Sequence, residues 1–456
     1  MRYKNFYFLG IGGIGMSAIA RYFNSKGYAA AGYDRTRSKL CETLEKEGVN
    51  IHYNDNCALI PDAFRNEQDT LVIYTPAIPA DNNELQFFRE HSFCIEKRAQ
   101  VLGEITRSER GLCIAGTHGK TTTSTMTAHL LKQSHIDCNA FLGGISKNYN
   151  SNLLLSDKSD LVVIEADEFD RSFHHLTPYM AIITAVDADH LDIYGTHEAY
   201  IESFAHFTSL IQKGGCLIMK KGLPLSPKVQ QGVKVYTYSA NEKADFYADN
   251  IHYGNGELRF DFATPDTLIS DINLGVPVTV NIENGVAAMA MAWLNGATAT
   301  EIRDAMATFA GTNRRFNFIL KTDKLVMMDD YAHHPEELKA CITSVRNLYP
   351  DKRILGIFQP HLFSRTRDFY KEFAKSLSML NGVILLPIYP AREKPIPGIT
   401  SEIILDEVTA DDKRICSKER LCEEILHTDY DVYITIGAGD IELLIPEIKE
   451  TLSNKA

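Results

Sequence analysis

Leu112-Cys113-Ile114-Ala115 runs into Gly116-Thr117-His118-Gly119-Lys120-Thr121-Thr122-Thr123, after which Met126, Leu130 and Leu131 mark one apolar face. An apolar strand, a glycine turn and a helix, in that order, form the phosphate-binding unit of open α/β proteins. Backbone amides at such a turn point at a ligand, and the helix N-terminus adds roughly half a positive charge. Lys120 can reach β- and γ-phosphate oxygens, and the Thr121 hydroxyl can bind a magnesium ion. The first glycine of the longer motif would fall at Ile114, so this loop is a shortened variant. A Gly-Lys-Thr turn with no ligand is the plainer reading, but the strand–loop–helix setting favours a nucleotide.

Two further strands end on candidate partners of this loop. Glu165 closes the run Leu161–Ile164 and opens Glu165-Ala166-Asp167-Glu168, and His190 lies just past Ala181–Val186. Ligands of open α/β sheets gather at the carboxyl ends of strands. A carboxylate and an imidazole beside phosphate oxygens suit Mg²⁺ or Mn²⁺, which are seldom caged by protein alone. Thr121, Glu165 and His190 are therefore the candidate metal ligands.

Outward from this centre, the chain reads as three α/β units. The first opens with Asn5–Leu9 and Gly10-Ile11-Gly12-Gly13-Ile14-Gly15, then Met16, Ile19, Ala20 and Phe23 at helical spacing. A second strand, Ala29–Tyr33, ends at Asp34, and Leu71–Tyr74 follows. Taken alone, this dinucleotide fingerprint would suggest an NAD-dependent oxidoreductase. That reading leaves the Lys120 loop unexplained, and a UDP-sugar diphosphate would use the same turn. Residues 250–280 carry short strand-like pieces with Asn, Gly and Pro turns, an antiparallel edge or flap. The last unit alternates strands at Leu325–Met328, Ile354–Phe358, Val383–Leu386 and Val432–Ile436 with helical stretches, and Gly437-Ala438-Gly439-Asp440 reads as a structural turn. The expected fold is α/β in three domains: 1–107 Rossmann-like, 108–313 a P-loop ATPase-type unit with a mainly parallel sheet, and 314–456 Rossmann-like.

At about 150 residues per domain, 456 residues also suggest three. A net charge of -12 argues against a nucleic-acid coat. Nine cysteines without a Cys-x-x-Cys pair fit a reducing cytoplasm and neither a disulfide framework nor a cysteine zinc site. No secretory leader is legible, and the greasiest runs fall short of the ~20 residues of a membrane span. The expectation is a cytoplasmic protein with no membrane insertion, a monomer or weak homo-oligomer.

The motifs together resemble the Mur ligase family, over essentially the whole chain. They are the Gly10–Ala20 and Gly116–Thr123 stretches, Glu165-Ala-Asp-Glu168, Asp189-His-Leu-Asp192, Arg314-Arg-Phe316, Asp330-Tyr-Ala-His-His-Pro335, Gln359-Pro-His361 and Ser364-Arg-Thr-Arg-Asp368. The front glycine stretch and the last motifs resemble the alanine-adding branch. The resemblance implies an ATP-dependent ligase that joins L-alanine to the carboxylate of UDP-N-acetylmuramate through an acyl phosphate. A family member that adds a preformed peptide is the alternative, ahead of the oxidoreductase.

Carried over by matching position, Gly116, Thr117, His118, Gly119, Lys120, Thr121 and Thr122 would hold ATP with Mg²⁺. Asn281 and Asn284 would lie on the adenine side, with Arg315 and Asp330 also toward ATP. Gly12, Gly13, Ile14, Gly15, Asp34, Thr75 and Ala77 would serve the UDP-sugar. Tyr331, His333, His361 and Arg365 would serve the amino acid, with His333 or His190 as the base for its amine. Lys120, Glu165, His190, His333 and Arg365 are the implied catalytic set. Leu362 stands where many members carry an arginine, Ala332 replaces a common glycine, and Val280 replaces a histidine. No lysine lies between Lys158 and Lys213, as in the alanine-adding branch. Three sites meeting at one reaction centre imply domain closure.

Overall fold

The computed structural model describes residues 3–75, 77–254, 256–312, 316–322, 324–391 and 393–455. Its first sheet comprises β1 (Asn5–Leu9), β2 (Ala29–Tyr33), β3 (Asn50–His52), β4 (Thr70–Tyr74) and β5 (Cys94–Lys97). The order is β3-β2-β1-β4-β5, all parallel, which is the dinucleotide-binding order without its sixth strand. Met16, Ile19, Ala20 and Phe23 form the buried face of the helix Ile14–Ser25, and Phe23 stacks on Phe6 with ring centroids 3.8 Å apart. The 3.6-residue period of these side chains thus becomes the seam between helix and sheet.

The second sheet is built on β6 (Arg110–Ala115), β7 (Asn139–Ser146), β8 (Ser151–Leu154), β9 (Leu161–Glu165), β10 (Pro178–Ile183), β11 (Cys216–Lys220) and β12 (Lys234–Ser239). They run in the order β12-β11-β10-β6-β9-β7-β8, parallel except for β8 against β7. The sequence places a strand over Ala181–Val186, but the ladder ends at Ile183. The residues beyond it reach across to the turn after β6 instead. Thr184 N donates to Ala115 O at 3.0 Å, and Thr117 N donates to Ala185 O at 3.1 Å. They brace the phosphate loop. Three further strands follow, β13 (Phe246–Gly254), β14 (Glu257–Ala263) and β15 (Leu268–Asn273), in the stretch read as an edge or flap.

The third sheet comprises β16 (Asn317–Lys321), β17 (Val326–Asp330), β18 (Ile354–Phe358), β19 (Gly382–Leu385), β20 (Asp412–Ile415) and β21 (Val432–Ile436). Its order is β16-β17-β21-β18-β19-β20, parallel but for β16. The chain divides into two compact units, one of Met1–Asp249, Asp261–Ser270 and Glu283–Phe309, the other of Asn250–Phe260, Asp271–Ile282 and Ala310–Ala456. Within the first, the helix Ile14–Ser25 is gripped on its far side by the second sheet. Asn152 Nδ2 donates to Ile14 O at 2.6 Å, and the rings of Tyr22 and Phe141 lie 5.3 Å apart. One apolar cluster runs from Phe6 and Phe8 through Ile164 and Phe173 to Phe204, so both sheets share a core. The third sheet has its own, around Met327, Leu355, Ile384 and Tyr433.

A buried polar cluster lies behind the first sheet. Tyr7 Oη donates to Glu84 Oε2 at 2.7 Å, Asn56 N donates to Glu84 Oε1 at 3.4 Å, and His52 Nε2 sits 3.2 Å from that oxygen. Burial pushes the Glu84 carboxyl up to about 7, although the bonds from Tyr7 and Asn56 pull it down. A carboxyl whose pKa is raised by folding stabilises the fold below its ordinary value of 4.5, and loses that contribution as pH rises through about 7. Glu84→Gln should therefore gain stability relative to the unmodified protein between pH 4.5 and 7, by on the order of 2 kcal/mol. Denaturant melts at the two ends of this window measure it; a difference that does not change with pH would refute the assignment.

Candidate active site

The phosphate loop is shaped by its own backbone. Gly119, at φ 81°, caps the helix Lys120–Lys132 in the left-handed region, where a side chain would strain the turn and strike Asn284 Oδ1 at 2.6 Å. His118 O accepts from Thr184 Oγ1 at 2.5 Å, while Thr117 Oγ1 donates to Asp187 O at 2.9 Å and meets Tyr200 Oη at 3.1 Å. The loop is thus tied to the segment beyond β10 at Thr184, Ala185 and Asp187. Gly116 links β6 to this turn, and Thr121 and Thr122 occupy the first turn of the helix. Asn284 Oδ1 accepts from Thr123 Oγ1 at 3.2 Å, which puts that asparagine against the loop helix.

Lys120 curls back under the loop. Its Nζ donates to Gly116 O at 2.7 Å and to Glu168 Oε1 at 2.8 Å, with Glu168 Oε2 also at 2.7 Å. In the sequence, Glu168 is one member of an acidic run with no role of its own. Spacing could not reveal one, because only Glu165 is marked by the strand end and the acids after it have no assigned partner until the chain turns after β9. Burial pushes the Glu168 carboxyl above the usual carboxylate range, against the downward pull of Lys120.

Glu165 ends β9 beside the same helix: Thr121 Oγ1 donates to its Oε1 at 3.2 Å. Its Oε2 is shut off from solvent and has no hydrogen-bond partner among the described residues. Burial raises this carboxyl too, outweighing Lys120 and Thr121. A hydroxyl beside a carboxylate with one unsatisfied buried oxygen is a donor set that fits a hard cation such as Mg²⁺, whose other positions are filled by water and phosphate. His190 is placed differently. Its Nε2 lies 3.6 Å from Asp189 Oδ2 and 4.0 Å from Glu168 Oε1, so it faces the acid of its own loop and the lysine's partner. No group of three or more His, Cys, Asp or Glu side chains is poised as a metal cage among the described residues.

A cavity of about 830 Å³ opens in the same unit, lined by Gly13, Ile14, Gly15, Asp34, Thr75 and Ala77 at one end and by Glu165 and Asp167 at the other. Gly12 sits inside the turn, its N donating to Asp34 Oδ2 at 2.8 Å, while Asp34 Oδ1 accepts from Thr36 N at 3.0 Å. Asp34 thus holds the glycine turn in shape as well as lining the cavity. Arg98, just after β5, lies against Gly15, and its Nη2 donates to Asp167 Oδ2 at 3.4 Å. It is a cation at the mouth of the helix Ile14–Ser25, the place for an anion. Its signal was present, since a basic residue at the carboxyl end of a parallel strand faces the ligand edge.

In the second unit, aromatic and basic side chains meet above β17 and β18. The Tyr331 and His333 rings are 5.2 Å apart, His333 and His361 5.8 Å, and His361 and Tyr389 5.7 Å. Arg365 Nη1 donates to His361 Nδ1 at 3.4 Å. These four sequence candidates, Tyr331, His333, His361 and Arg365, are thus gathered in one place. Arg367 instead pairs with Asp368 at 2.7 Å on an exposed face. Asp330 accepts from Phe316 N at 2.7 Å and from Ala332 N at 2.8 Å, so it organises the turn that carries Tyr331 and His333. Asn281 Nδ2 donates to Val276 O at 3.2 Å at the start of the helix Thr279–Leu294. Arg314 and Arg315 lie outside the described residues.

Leu362, where an arginine is common, has φ 70° and ψ 137° at the start of the helix Phe363–Leu377. Such backbone costs a non-glycine residue about 1–3 kcal/mol. Leu362→Gly is therefore expected to be more stable than Leu362→Ala by about 1 kcal/mol. Thermal melts of the two variants decide it, and equal melting temperatures would rule the strain out.

Family models match along the chain: "Mur ligase family, catalytic domain" over residues 5–110, "Mur ligase middle domain" over 114–292 and "Mur ligase, glutamate ligase domain" over 314–439. A UDP-N-acetylmuramate–L-alanine ligase of Parabacteroides distasonis is 62% identical over 446 residues, covering 98% of this chain and 96% of the relative. A relative of the same name from Porphyromonas gingivalis is 57% identical, with 98% and 99% covered. The crystal structure of UDP-N-acetylmuramate-alanine ligase from Thermotoga maritima superposes with a TM-score of 0.80 at 25% identity, covering 99% of this chain and all of that one. With a phosphate loop, a glycine-turn cavity and an aromatic–basic cluster on an α/β framework matched along its length, this chain belongs to the Mur ligase family.

Proposed function

We propose that the chain joins L-alanine to the carboxylate of UDP-N-acetylmuramate, converting ATP to ADP and phosphate, in peptidoglycan precursor synthesis. The observation that carries this is the cavity, which begins at the front glycine turn and ends at Glu165 beside the phosphate-loop helix. A UDP-sugar held at Gly13–Gly15 would extend its carboxylate toward the γ-phosphate.

A carboxylate does not acylate an amine at neutral pH, because its oxygen is a poor leaving group. Phosphorylation by ATP makes an acyl phosphate; the alanine amine then attacks the acyl carbon, and the tetrahedral adduct collapses to amide and phosphate. The first step brings two anions together, and positioning with electrostatic stabilisation supplies the catalysis. Lys120 and the helix amides would meet the phosphates, and Arg98 with the amides of the front turn the diphosphate. Thr121 and Glu165 would hold Mg²⁺, which supplies charge neutralisation when bound. In the second unit, His333 Nδ1 lies 3.0 Å from Tyr331 O. A carbonyl oxygen only accepts, and Glu337 Oε2 lies 3.3 Å from the same nitrogen, so Nδ1 is the donor and Nε2 is the nitrogen that would take the amine's proton. Arg365 would meet the alanine carboxylate.

Purified protein given UDP-N-acetylmuramate, ATP, Mg²⁺ and L-alanine should release phosphate, with glycine and L-serine as competing amino acids. Release that requires a preformed peptide in place of alanine would transfer the assignment to the peptide-adding reaction of the same family.

A further inference from the structure

The strongest feature that the chemistry above leaves unused is the carboxylate under the phosphate loop. Glu168 is 1% exposed at its side chain and Lys120 15%, so the pair is almost fully withdrawn from water. Both carboxylate oxygens reach Nζ, and Gly116 O accepts from it as well at 2.7 Å. The ammonium is therefore directed inward, onto the underside of its own loop.

Glu168 is itself held in place. Tyr194 Oη donates to its carbonyl at 2.5 Å, and Tyr200 Oη lies between the two, 3.5 Å from Glu168 Oε1 and 3.1 Å from Thr117 Oγ1 of the loop. The anchor and the loop thus share one scaffold. A desolvated ion pair with fixed geometry does not open without a competing charge, because a lone buried ion is costly.

We propose that Glu168 is a positioning residue that masks Lys120 in the nucleotide-free protein, so that an arriving triphosphate must compete with this carboxylate for the ammonium. The inference rests on the ATP reading of the loop. It makes the nucleotide-free loop nearly neutral, and its affinity lower than the lysine alone would give. A polyphosphate wins the ammonium by presenting several oxygens at once to Lys120 and the loop amides, whereas a single weak anion does not.

Direct titration with ATP and with inorganic triphosphate tests this on the full chain. Glu168→Gln keeps the shape and removes the charge, and both ligands are expected to bind about tenfold more tightly. In a Lys120→Met background, where no ammonium is left to mask, the same change should tighten binding much less. Unchanged or weaker binding by Glu168→Gln would overturn the proposal, as would equal tightening in both backgrounds. A merely structural role would lower the melting temperature without tightening binding. Should Glu168→Gln fail to fold, Glu168→Asp, which keeps the charge but cannot reach Nζ with both oxygens, should tighten binding several-fold; unchanged affinity overturns the proposal. An unmodified protein that binds neither ligand would instead remove the ATP reading beneath it.

Discussion

Lys120→Ala is expected to lower turnover by about a thousandfold or more while leaving UDP-N-acetylmuramate affinity within about a factor of two. In the proposed reaction the lysine would bring a full positive charge to phosphate oxygens, and phosphoryl transfer depends on such neutralisation. The glycine-turn end of the cavity, proposed above for the UDP-sugar, is lined by Gly13, Ile14, Gly15, Asp34, Thr75 and Ala77, whereas the Lys120 ammonium bonds to Gly116, Thr117 and Glu168. Phosphate release and binding of the UDP-sugar, measured separately, decide the matter. Retained turnover would sink the phosphate-loop assignment. Removing the lysine also leaves Glu168 buried without its ion-pair partner, so Lys120→Met in a Glu168→Gln background is the control for lost stability.

Glu165→Gln is expected to cost about a hundredfold or more in turnover, and to raise the Mg²⁺ concentration needed for half-maximal rate. The fold should not suffer. Glu165 Oε2 is buried without a hydrogen bond among the described residues, and burying an uncompensated charge is unfavourable, so the amide should match or raise the melting temperature. Loss of activity with gain of stability separates a working carboxylate from a structural one. Gly143→Ala offers a second route, because a Cβ there would lie 2.0 Å from Glu165 Oε2 and must displace it. A comparable fall in rate is expected; full activity in both variants would remove Glu165 from the reaction.

Much of this molecule is legible before any coordinates. The strands around Gly10–Gly15 and Gly116–Thr123 are short-range features: continuous apolar runs, glycine turns, and stripes such as Met16, Ile19, Ala20 and Phe23, all buried as their period requires. The order of alternation dictates a parallel sheet, since parallel neighbours need a crossover between them. Candidate residues at strand ends follow from the same rule. Even the departure at Leu362 is visible in the sequence, although its strained backbone is not.

What stays hidden depends on where separate segments cross. Ala181–Val186 reads as one strand, yet Thr184 and Ala185 leave the ladder to brace the loop that follows β6. Nothing within that run announces a partner so far back along the chain. Among Glu165, Asp167 and Glu168, sequence alone singles out Glu165 by its strand-end position and assigns no partner to the other two. The turn after β9 sends Glu165 to Thr121, Asp167 to Arg98 and Glu168 to Lys120. The sequence by itself determined the α/β framework, the phosphate loop and the kind of chemistry, because these rest on local periodicity and on residue types within one turn. Only the tertiary structure decided which carboxylate meets which cation, because a buried ion pair is set by the crossing of distant strands and by the water excluded there.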